Sequence, residues 1–371
     1  ISPRIHSKLT RPQPMSDEQL ISEIETLIRR DPARRGLIGS DGNGPGRGEL
    51  ARAAQLFSKS SDLTGVVLIT GFFIPDTGYS NARSPCSNEM CMAQRGNAET
   101  DGPPGTAVLA DVLASLGVPT TVVTDSLCEA VVRAACSSGS DQDPKILVCP
   151  NSLQEAGVWR TSILGRPETR QISHVVAIER VGPGYPDEKA TSSEPVAASE
   201  QQVESSPLTD WQPGHCSNMR GESIDEFSAD LHLLIESAKA INPKIKFIGV
   251  GDGGNELGMG RFSRDELLTR ITGPNAHRIP CRISADATIV AGVSNWGAYA
   301  LAAAIAVQHD RVDLLERHTA ESQQRLIERI VEDAGAVDGV TRRSEPTVDG
   351  LPFLTQIQPW IAIRKRLGLR P

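Results

Sequence analysis

The chain has 371 residues, of which 39% are hydrophobic and 23% are charged, and its formal net charge is -8. This length and composition are typical of a globular protein with a sizeable core, and they exclude a disordered, collagen-like or disulfide-stapled chain. The acidic balance and the scarcity of aromatic residues (7 Phe, 4 Trp and 3 Tyr) argue against nucleic acid as a partner, because Lys and Arg supply most of the affinity for phosphates. No stretch approaches the ~18 consecutive apolar residues of a membrane-spanning helix, so we expect no membrane association.

The cysteines and the N-terminal tail bear on the cellular compartment. The 7 cysteines are odd in number and irregularly spaced, which indicates a reducing, intracellular environment. The tail, residues 1–15, contains no acid but carries Arg4, His6, Lys8 and Arg11. This composition resembles the remnant of an organelle transit peptide, and the tail of a cytoplasmic protein is the alternative.

From residue 65 onwards, short apolar runs rich in β-branched residues alternate with helix-like stretches. Such continuous runs are typical of strands that are buried on both faces of a parallel sheet. The predicted strands are 65–73, 120–125, 145–150, 174–179, 246–250 and 287–293. The predicted helices are 16–30, with Ser16 as its N-cap, 106–116, 126–137, 223–241, 297–309 and 312–333. The alternation predicts an α/β fold: a doubly wound, mostly parallel sheet with helices on both faces, in a single large domain.

Two polar segments interrupt this alternation. Residues 76–98 follow the first strand directly, and residues 183–213 are rich in Ser, Glu, Gln and Pro, so we interpret both as loop insertions. The predicted organisation is therefore a tail at 1–15, the α/β domain at 16–357 with these two insertions, and a C-terminal segment at 358–371.

The sequence GDGGNELGMG, residues 251–260, follows the fifth predicted strand. Its glycines allow backbone N–H groups to converge on an anion, and Asp252 and Glu256 are interleaved with them. A ligand that carries both an anion and an ammonium group, or a metal ion, fits this mixture better than a bare phosphate; a glycine-rich turn with solvated acids is the alternative. A G-x-G-x-x-G match begins at Gly249, but no acid follows about 20 residues later and no Walker P-loop is present, so we expect no nucleotide cofactor.

Other polar residues also follow predicted strands, where parallel sheets bind their ligands. In ETDGPPG, residues 99–105, Asp101 is predicted either to cap the helix that Pro103 or Pro104 begins or, with Glu99, to bind a divalent metal or act as a general base. Arg180 and Arg220 could each hold a substrate carboxylate or pair with a nearby acid. Ser294 and Asn295 open a helix and could cap it.

These motifs together resemble those of the D-glutamate cyclase family. The resemblance covers roughly residues 16–357 and rests on a set of motifs in the order of the family: Arg35-Gly36, Thr70-Gly71-Phe72, ETDGPPG, IER at 178–180, NMRG at 218–221, GDGGNELGMG, GVSNWGAYAL at 292–301 and VDGL at 348–351. It implies an intramolecular dehydration of D-glutamate to 5-oxo-D-proline and, in animals, a location in the mitochondrial matrix. The insertions at 76–98 and 183–213 depart from the family pattern.

On this basis we assign candidate roles by position and residue type. The predicted catalytic residues are Asp101, Asp252 and Glu256, with Asp252 or Asp101 as the base that deprotonates the substrate amine. The predicted substrate-binding residues are Gly71, Thr100, Arg180, Asn218, Arg220, Gly253, Gly254, Asn255, Ser294 and Asn295. A divalent ion (Mg, Mn or Ca) is expected on Glu99, Asp101 and Asp252.

Two other functions stay open at this point. One is a cyclase or hydrolase that acts on a related amino-acid derivative, and the other is a non-catalytic protein that binds a small molecule. The expected partner in each case is a small amino-acid ligand, and a homo-oligomer is an alternative to a monomer.

Overall fold

The computed structural model describes residues 16–76, 95–137, 143–186 and 214–371. Within them, six parallel strands form the central sheet, and each strand begins within one residue of its predicted position. The strands are β1 (Val66–Thr70), β2 (Thr120–Asp125), β3 (Lys145–Cys149), β4 (His174–Ile178), β5 (Lys246–Gly251) and β6 (Ala287–Val290). Most of the two predicted insertions, 76–98 and 183–213, lies outside the described residues.

The strand order across the sheet is β3-β2-β1-β4-β5-β6, and every neighbouring pair is parallel. The first three strands run outward in one direction, and the chain then returns to the middle and continues in the other. This confirms the doubly wound α/β prediction. The order reverses between β1 and β4, which is where a crevice opens at the carboxyl ends of the strands.

Alternation of side chains along each strand divides the core into two layers. In β1, Val66 and Leu68 face one layer, whereas Val67 and Ile69 face the other. Both faces are apolar because helices cover both, which is why the strands read as continuous apolar runs in the sequence.

The helices are named in chain order. They are α1 (Asp17–Ile28), α2 (Glu49–Leu56), α3 (Pro103–Ser115), α4 (Glu129–Cys136), α5 (Leu153–Leu164), α6 (His232–Ile241), α7 (Arg264–Leu268), α8 (Ser294–Gln308), α9 (Ala320–Ala334), α10 (Phe353–Gln356) and α11 (Gln358–Arg366). Ser16 caps α1 as predicted, in a full capping box with Gln19.

Two predicted helices are shorter than their sequence patterns indicated. The helix predicted at 223–241 begins only at His232, after a single 3₁₀ turn at Asp225–Phe227. The helix predicted at 312–333 is interrupted, because Thr319 accepts a hydrogen bond from the N–H of Ser322 and so begins α9 as a separate helix.

The C-terminal segment, 358–371, packs on the same core as the rest of the chain. Trp360 and Ile363 of α11 are fully buried, and the Trp360 indole N–H donates to the carbonyl of His318. Among the described helices, none is long and apolar enough to cross a membrane.

Candidate functional site

A cavity of about 230 Å³ lies at the carboxyl ends of β1, β4 and β5, beside the point where the strand order reverses. Its volume is below the range of about 300–1,000 Å³ that is usual for drug-sized ligands, so it suits a small metabolite. Its lining combines an apolar wall with buried acids and several arginines: Ala33, Arg35, Phe72, Phe73, Ile74, Pro75, Glu99, Glu179, Asn218, Met219, Arg220, Asp252, Asn255, Gly339, Val340 and Arg342.

Asp252 lies at the end of β5 and forms an ion pair with Arg35. The same guanidinium binds Asp349, with 2.6 Å between Arg35 Nη2 and Asp349 Oδ1. Burial raises the pKa of Asp252 well above its usual range, while the charge of Arg35 opposes that rise. Arg35 therefore neutralises part of a cluster of acids that the protein excludes from water.

Glu179 follows β4 directly and has a φ of 43°, a left-handed conformation that non-glycine residues rarely adopt. The Ser294 hydroxyl donates to Glu179 Oε2 over 2.5 Å. Burial raises the pKa of Glu179 well above its usual range, and the neighbouring Glu256 and Glu99 raise it further. A neutral, proton-donating Glu179 is thus favoured beside the Arg35–Asp252 pair. Unusual backbone conformations of this kind occur most often at functional sites.

Glu99 is 4% exposed and lines the cavity, and its carboxylate receives no hydrogen bond from the part of the chain that the structure describes. Burial raises the pKa of Glu99 well above its usual range, and Asp349 and Asp101 raise it further. Gly339 lies against this side chain, since a Cβ there would come within 2.0 Å of Glu99 Oε2. The carboxyl group of Glu99 is accordingly available to a ligand.

The glycine-rich loop forms the predicted nest of N–H groups, but the anion that it holds is Glu256. Glu256 Oε1 accepts from the N–H groups of Asp252 and Gly253, and Oε2 accepts from that of Gly254. These N–H groups are consequently committed within the loop. These bonds give Gly253, Gly254 and Glu256 a structural role in the loop, and the roles in binding and catalysis that the sequence suggested for them stay predictions.

Asp101 has a different role from the one that its position suggested. It does not cap α3, which it precedes; its carboxylate accepts from the N–H groups of Ser294 and Asn295 at the start of α8. Asn295 Oδ1 in turn accepts from the N–H groups of Gly102 and Gly105 at the start of α3. The start of α8 is thus bound by a residue that precedes α3, and the start of α3 is bound by a residue of α8. Neither Asp101 nor Asn295 lines the cavity.

Arg180 faces away from the cavity and is 1% exposed. It pairs with Asp125 over 2.5 Å and donates to the carbonyls of Gly71 and Ala229. Both terminal nitrogens of its guanidinium thus bind protein groups, whereas its buried Nε has no hydrogen-bond partner in the described part of the chain. Gly71 contributes to this buried network through its carbonyl and does not line the cavity.

The remaining predicted residues divide between the cavity and its supporting structure. Asn218, Arg220 and Asn255 line the cavity. Thr100 lies behind it, where its hydroxyl donates to the carbonyl of Thr347. Ser294 contacts the site through Glu179.

Two groups of buried acids could hold a metal ion, because their ligand atoms lie within 4.8 Å of one another. One group is Asp101, Asp252 and Asp349, and the other is Glu179, Asp252 and Glu256. Asp101 and Asp252 were predicted as metal ligands, and Glu99 falls in neither group. In the second group, Glu256 already accepts three backbone hydrogen bonds, so Glu179 and Asp252 are its most available members.

The site roles of Arg35, Glu179, Asp349 and Arg342 were not predicted. The first three lie within motifs of the family resemblance, namely Arg35-Gly36, IER and VDGL. Arg342 lies in no motif, and only the folded chain brings it to the cavity.

The fold and the cavity together define a doubly wound α/β domain with a small, acid-lined cavity at the switch point of its sheet. The family described as "D-glutamate cyclase-like, C-terminal" matches residues 24–194 and 208–361. The chain therefore belongs to the D-glutamate cyclase-like family, which confirms the resemblance seen in its motifs. It is 30% identical over 297 residues to the human protein "D-glutamate cyclase, mitochondrial". The match covers 78% of this chain and 39% of the human protein, so the chain spans less than half of that relative.

Proposed function

We propose that this chain is a carbon–oxygen lyase that closes D-glutamate to 5-oxo-D-proline with loss of water. The observation that carries the proposal is the charge pattern of the cavity, with Glu99, Glu179 and Asp252 buried on one side and Arg220 and Arg342 in the lining as well. Such a pattern is complementary to a small molecule with one ammonium group and two carboxylates. The family membership and the name of the human relative support the same substrate.

The reaction forms a bond between the α-amino nitrogen and the carbon of the γ-carboxylate, and it breaks one carbon–oxygen bond of that carboxylate. The nitrogen loses two protons and the departing oxygen gains two, so the products are the lactam and water. The protein must therefore accept protons from the nitrogen and supply protons to the leaving oxygen, two in each case over the whole reaction.

Two acids in the cavity suit these two tasks. Asp252 is the proposed proton acceptor because Arg35 contacts it directly, and this positive charge opposes the rise in its pKa that burial causes. Glu179 is the proposed proton donor, because burial and neighbouring acids favour its neutral form and Ser294 fixes its orientation. Burial raises the pKa of both acids, and the direct ion pair with Arg35 is what distinguishes Asp252 from Glu179. Asp101, the other base predicted from sequence, has both oxygens committed to the start of α8.

We propose, as the alternative to proton transfer by these two acids, that Glu179 and Asp252 in their ionised forms would hold a divalent cation such as Mg, Mn or Ca. Carboxylate oxygens are the ligands that such ions prefer. A bound cation would polarise the γ-carboxylate as a Lewis acid. Arg35 already neutralises part of the charge of Asp252, so the site does not depend on a cation for this purpose alone. Assays of activity with and without a chelator test whether a metal ion is required.

Product analysis with both glutamate enantiomers tests the function. The wild-type chain should form 5-oxo-D-proline from D-glutamate, and Asp252→Asn should lower turnover by about 100-fold or more, which is the usual scale of a general base. Asp313→Asn, at an exposed acid of an ion pair far along the chain, serves as the control and should retain activity. Turnover of another amino-acid derivative, or tight binding without a product, would contradict the proposal.

We also propose a mitochondrial location, because the human relative is named as mitochondrial and the tail at 1–15 contains bases without acids. Imaging of the tagged protein against mitochondrial and cytoplasmic markers tests it. A diffuse cytoplasmic signal would contradict this proposal.

A further inference from the structure

Two arginines of the cavity lining, Arg220 and Arg342, lie on separate loops that meet at the cavity. Arg220 is exposed, and its guanidinium has no hydrogen-bonding or ion-pair partner in the described part of the chain. Arg342 donates from Nη1 to the carbonyl of Pro75 over 3.0 Å, and its Nε is buried without a partner. The two guanidinium groups therefore retain donors that no described protein group satisfies.

The two positive charges also repel each other. Burial lowers the pKa of Arg342, and the charge of Arg220 lowers it further. Glu222 and Asp76 act in the opposite direction, but the contact between Arg342 Nη2 and Glu222 Oε2 is 4.0 Å, at the limit of an ion pair. A bound anion between the arginines would relieve this repulsion.

Each loop is held in place by a buried polar side chain. Asn218 Oδ1 accepts from the N–H groups of Arg220 and Glu222, and its Nδ2 donates to Glu222 Oε2. This network fixes the turn that carries Arg220.

Asp338, which is fully buried, does the same for the loop of Arg342. Its oxygens accept from the N–H groups of Val340, Thr341 and Gly350, and its carbonyl accepts from the N–H of Arg342. Arg342 has a φ of 60°, so this network maintains a conformation that non-glycine residues rarely adopt. The protein thus positions both arginines before a ligand arrives, which lowers the entropic cost of binding.

We propose that Arg342, together with Arg220, binds the non-reacting α-carboxylate of the substrate and so selects amino acids in which that carboxylate is free. The inference rests on the proposed function, because it places the reacting γ-carboxylate at the acids on the other side of the cavity. Arginine suits this task, since its planar fork binds both oxygens of a carboxylate.

Binding of two product analogues tests the inference separately from turnover. We compare the affinity of 5-oxo-D-proline with that of 5-oxo-D-prolinamide, in which an amide replaces the carboxylate, by calorimetry. The wild-type chain should prefer the carboxylate by about 10- to 100-fold, the range expected for hydrogen bonds to a charged group. In Arg342→Ala this preference should fall toward unity, and Arg342→Lys should recover only part of it.

Arg343→Ala is the matched control, because this neighbouring side chain is 73% exposed and does not line the cavity. It should keep the wild-type preference. An unchanged preference in Arg342→Ala would overturn the inference. A wild-type preference for the carboxylate without turnover of D-glutamate would contradict the cyclase proposal alone, and binding of neither analogue would contradict both.

Discussion

The pairing of Arg35 with Asp252 and Asp349 is the central ionic contact of the site. Removal of one partner from a buried ion pair leaves an uncompensated charge, which typically costs about 3–5 kcal/mol. We expect Arg35→Met to lower the free energy of unfolding by about this amount. Urea denaturation measures the change.

A second variant separates the lost charge pairing from lost packing. Asp252→Asn removes one of the two acids that Arg35 neutralises, so Arg35→Met/Asp252→Asn should be more stable than Arg35→Met alone. Stability of Arg35→Met within about 0.5 kcal/mol of the wild type, which is the usual effect of a surface substitution, would show that the pairing contributes little.

The hydrogen bond from Ser294 to Glu179 allows a test of whether Glu179 donates a proton in the reaction. This bond stabilises the ionised form of Glu179, so Ser294→Ala should raise the pKa of Glu179 further. If neutral Glu179 donates a proton in the reaction, the fall of kcat at alkaline pH should move to higher pH in the variant. Ser58→Ala, at an exposed position, should leave the pH profile unchanged. The same alkaline limb in Ser294→Ala and wild type would exclude Glu179 as the donor.

At the scale of elements, α3 and α8 depend on each other for their caps. Asn295 accepts two N–H groups at the start of α3, so Asn295→Ala should lower the free energy of unfolding by about 1–2 kcal/mol. Thr319→Ala, which removes a single local cap of α9, is the comparison and should cost less. Equal costs in the two variants would indicate that the mutual caps add nothing beyond one local cap. Denaturation curves of both variants provide the measurement.

The elements that sequence predicted best are those whose signal is local. The strands are short apolar runs, and burial on both faces makes the central strands β1 and β4 continuous, whereas the edge strand β3 is only partly buried. Helices such as α2 and α5 were missed. α2 begins after Gly48, which offers no side-chain cap, so its start carries no sequence signal. α5 has few buried positions and so gives only a weak periodic pattern.

The site was predicted only in part, because a local sequence signal identifies the residues at the strand ends but not the residues that they contact. Sequence located the acids at the strand ends, and Asp252 and Glu99 do line the cavity. The sequence could not identify the partners of the polar residues. Only the folded chain brings Asp101 to the start of α8 and Arg180 to Asp125, and only the detailed loop conformation turns Glu256 back onto its own loop. Arg342 joins Arg220 across more than 100 residues of chain, a distance at which sequence spacing carries no information.

For the whole molecule, the buried acids couple stability to pH. Burial raises the pKa of Asp101 to about 8 and raises that of Glu179 well above its usual range. The folded state therefore binds more protons than the unfolded state at neutral pH, so stability falls as the pH rises. We expect the free energy of unfolding to decrease between pH 6.5 and about 8, by up to about 1.4 kcal/mol per pH unit for each such group.

The pH range of 6.5 to 8 lies above the range in which protonation of His174 and His232 changes the stability. Burial lowers the pKa of both histidines, so their contribution to stability is lost only as the pH falls below about 6.5. Glu179→Gln should reduce the slope of stability against pH, whereas Glu332→Gln at an exposed position should not. A wild-type stability that rises between pH 6.5 and 8 would mean that the cluster is ionised in the fold.

In the proposed reaction, this chain removes one γ-carboxylate oxygen of D-glutamate as water. The most direct measurement is mass spectrometry of the product formed from D-glutamate whose two γ-oxygens carry ¹⁸O. We predict 5-oxo-D-proline that retains one of the two labels, with the other released into water, and no product from the same substrate in Asp252→Asn on the wild-type timescale. No 5-oxoproline from the wild-type chain, or a product that retains both labels, would contradict the account.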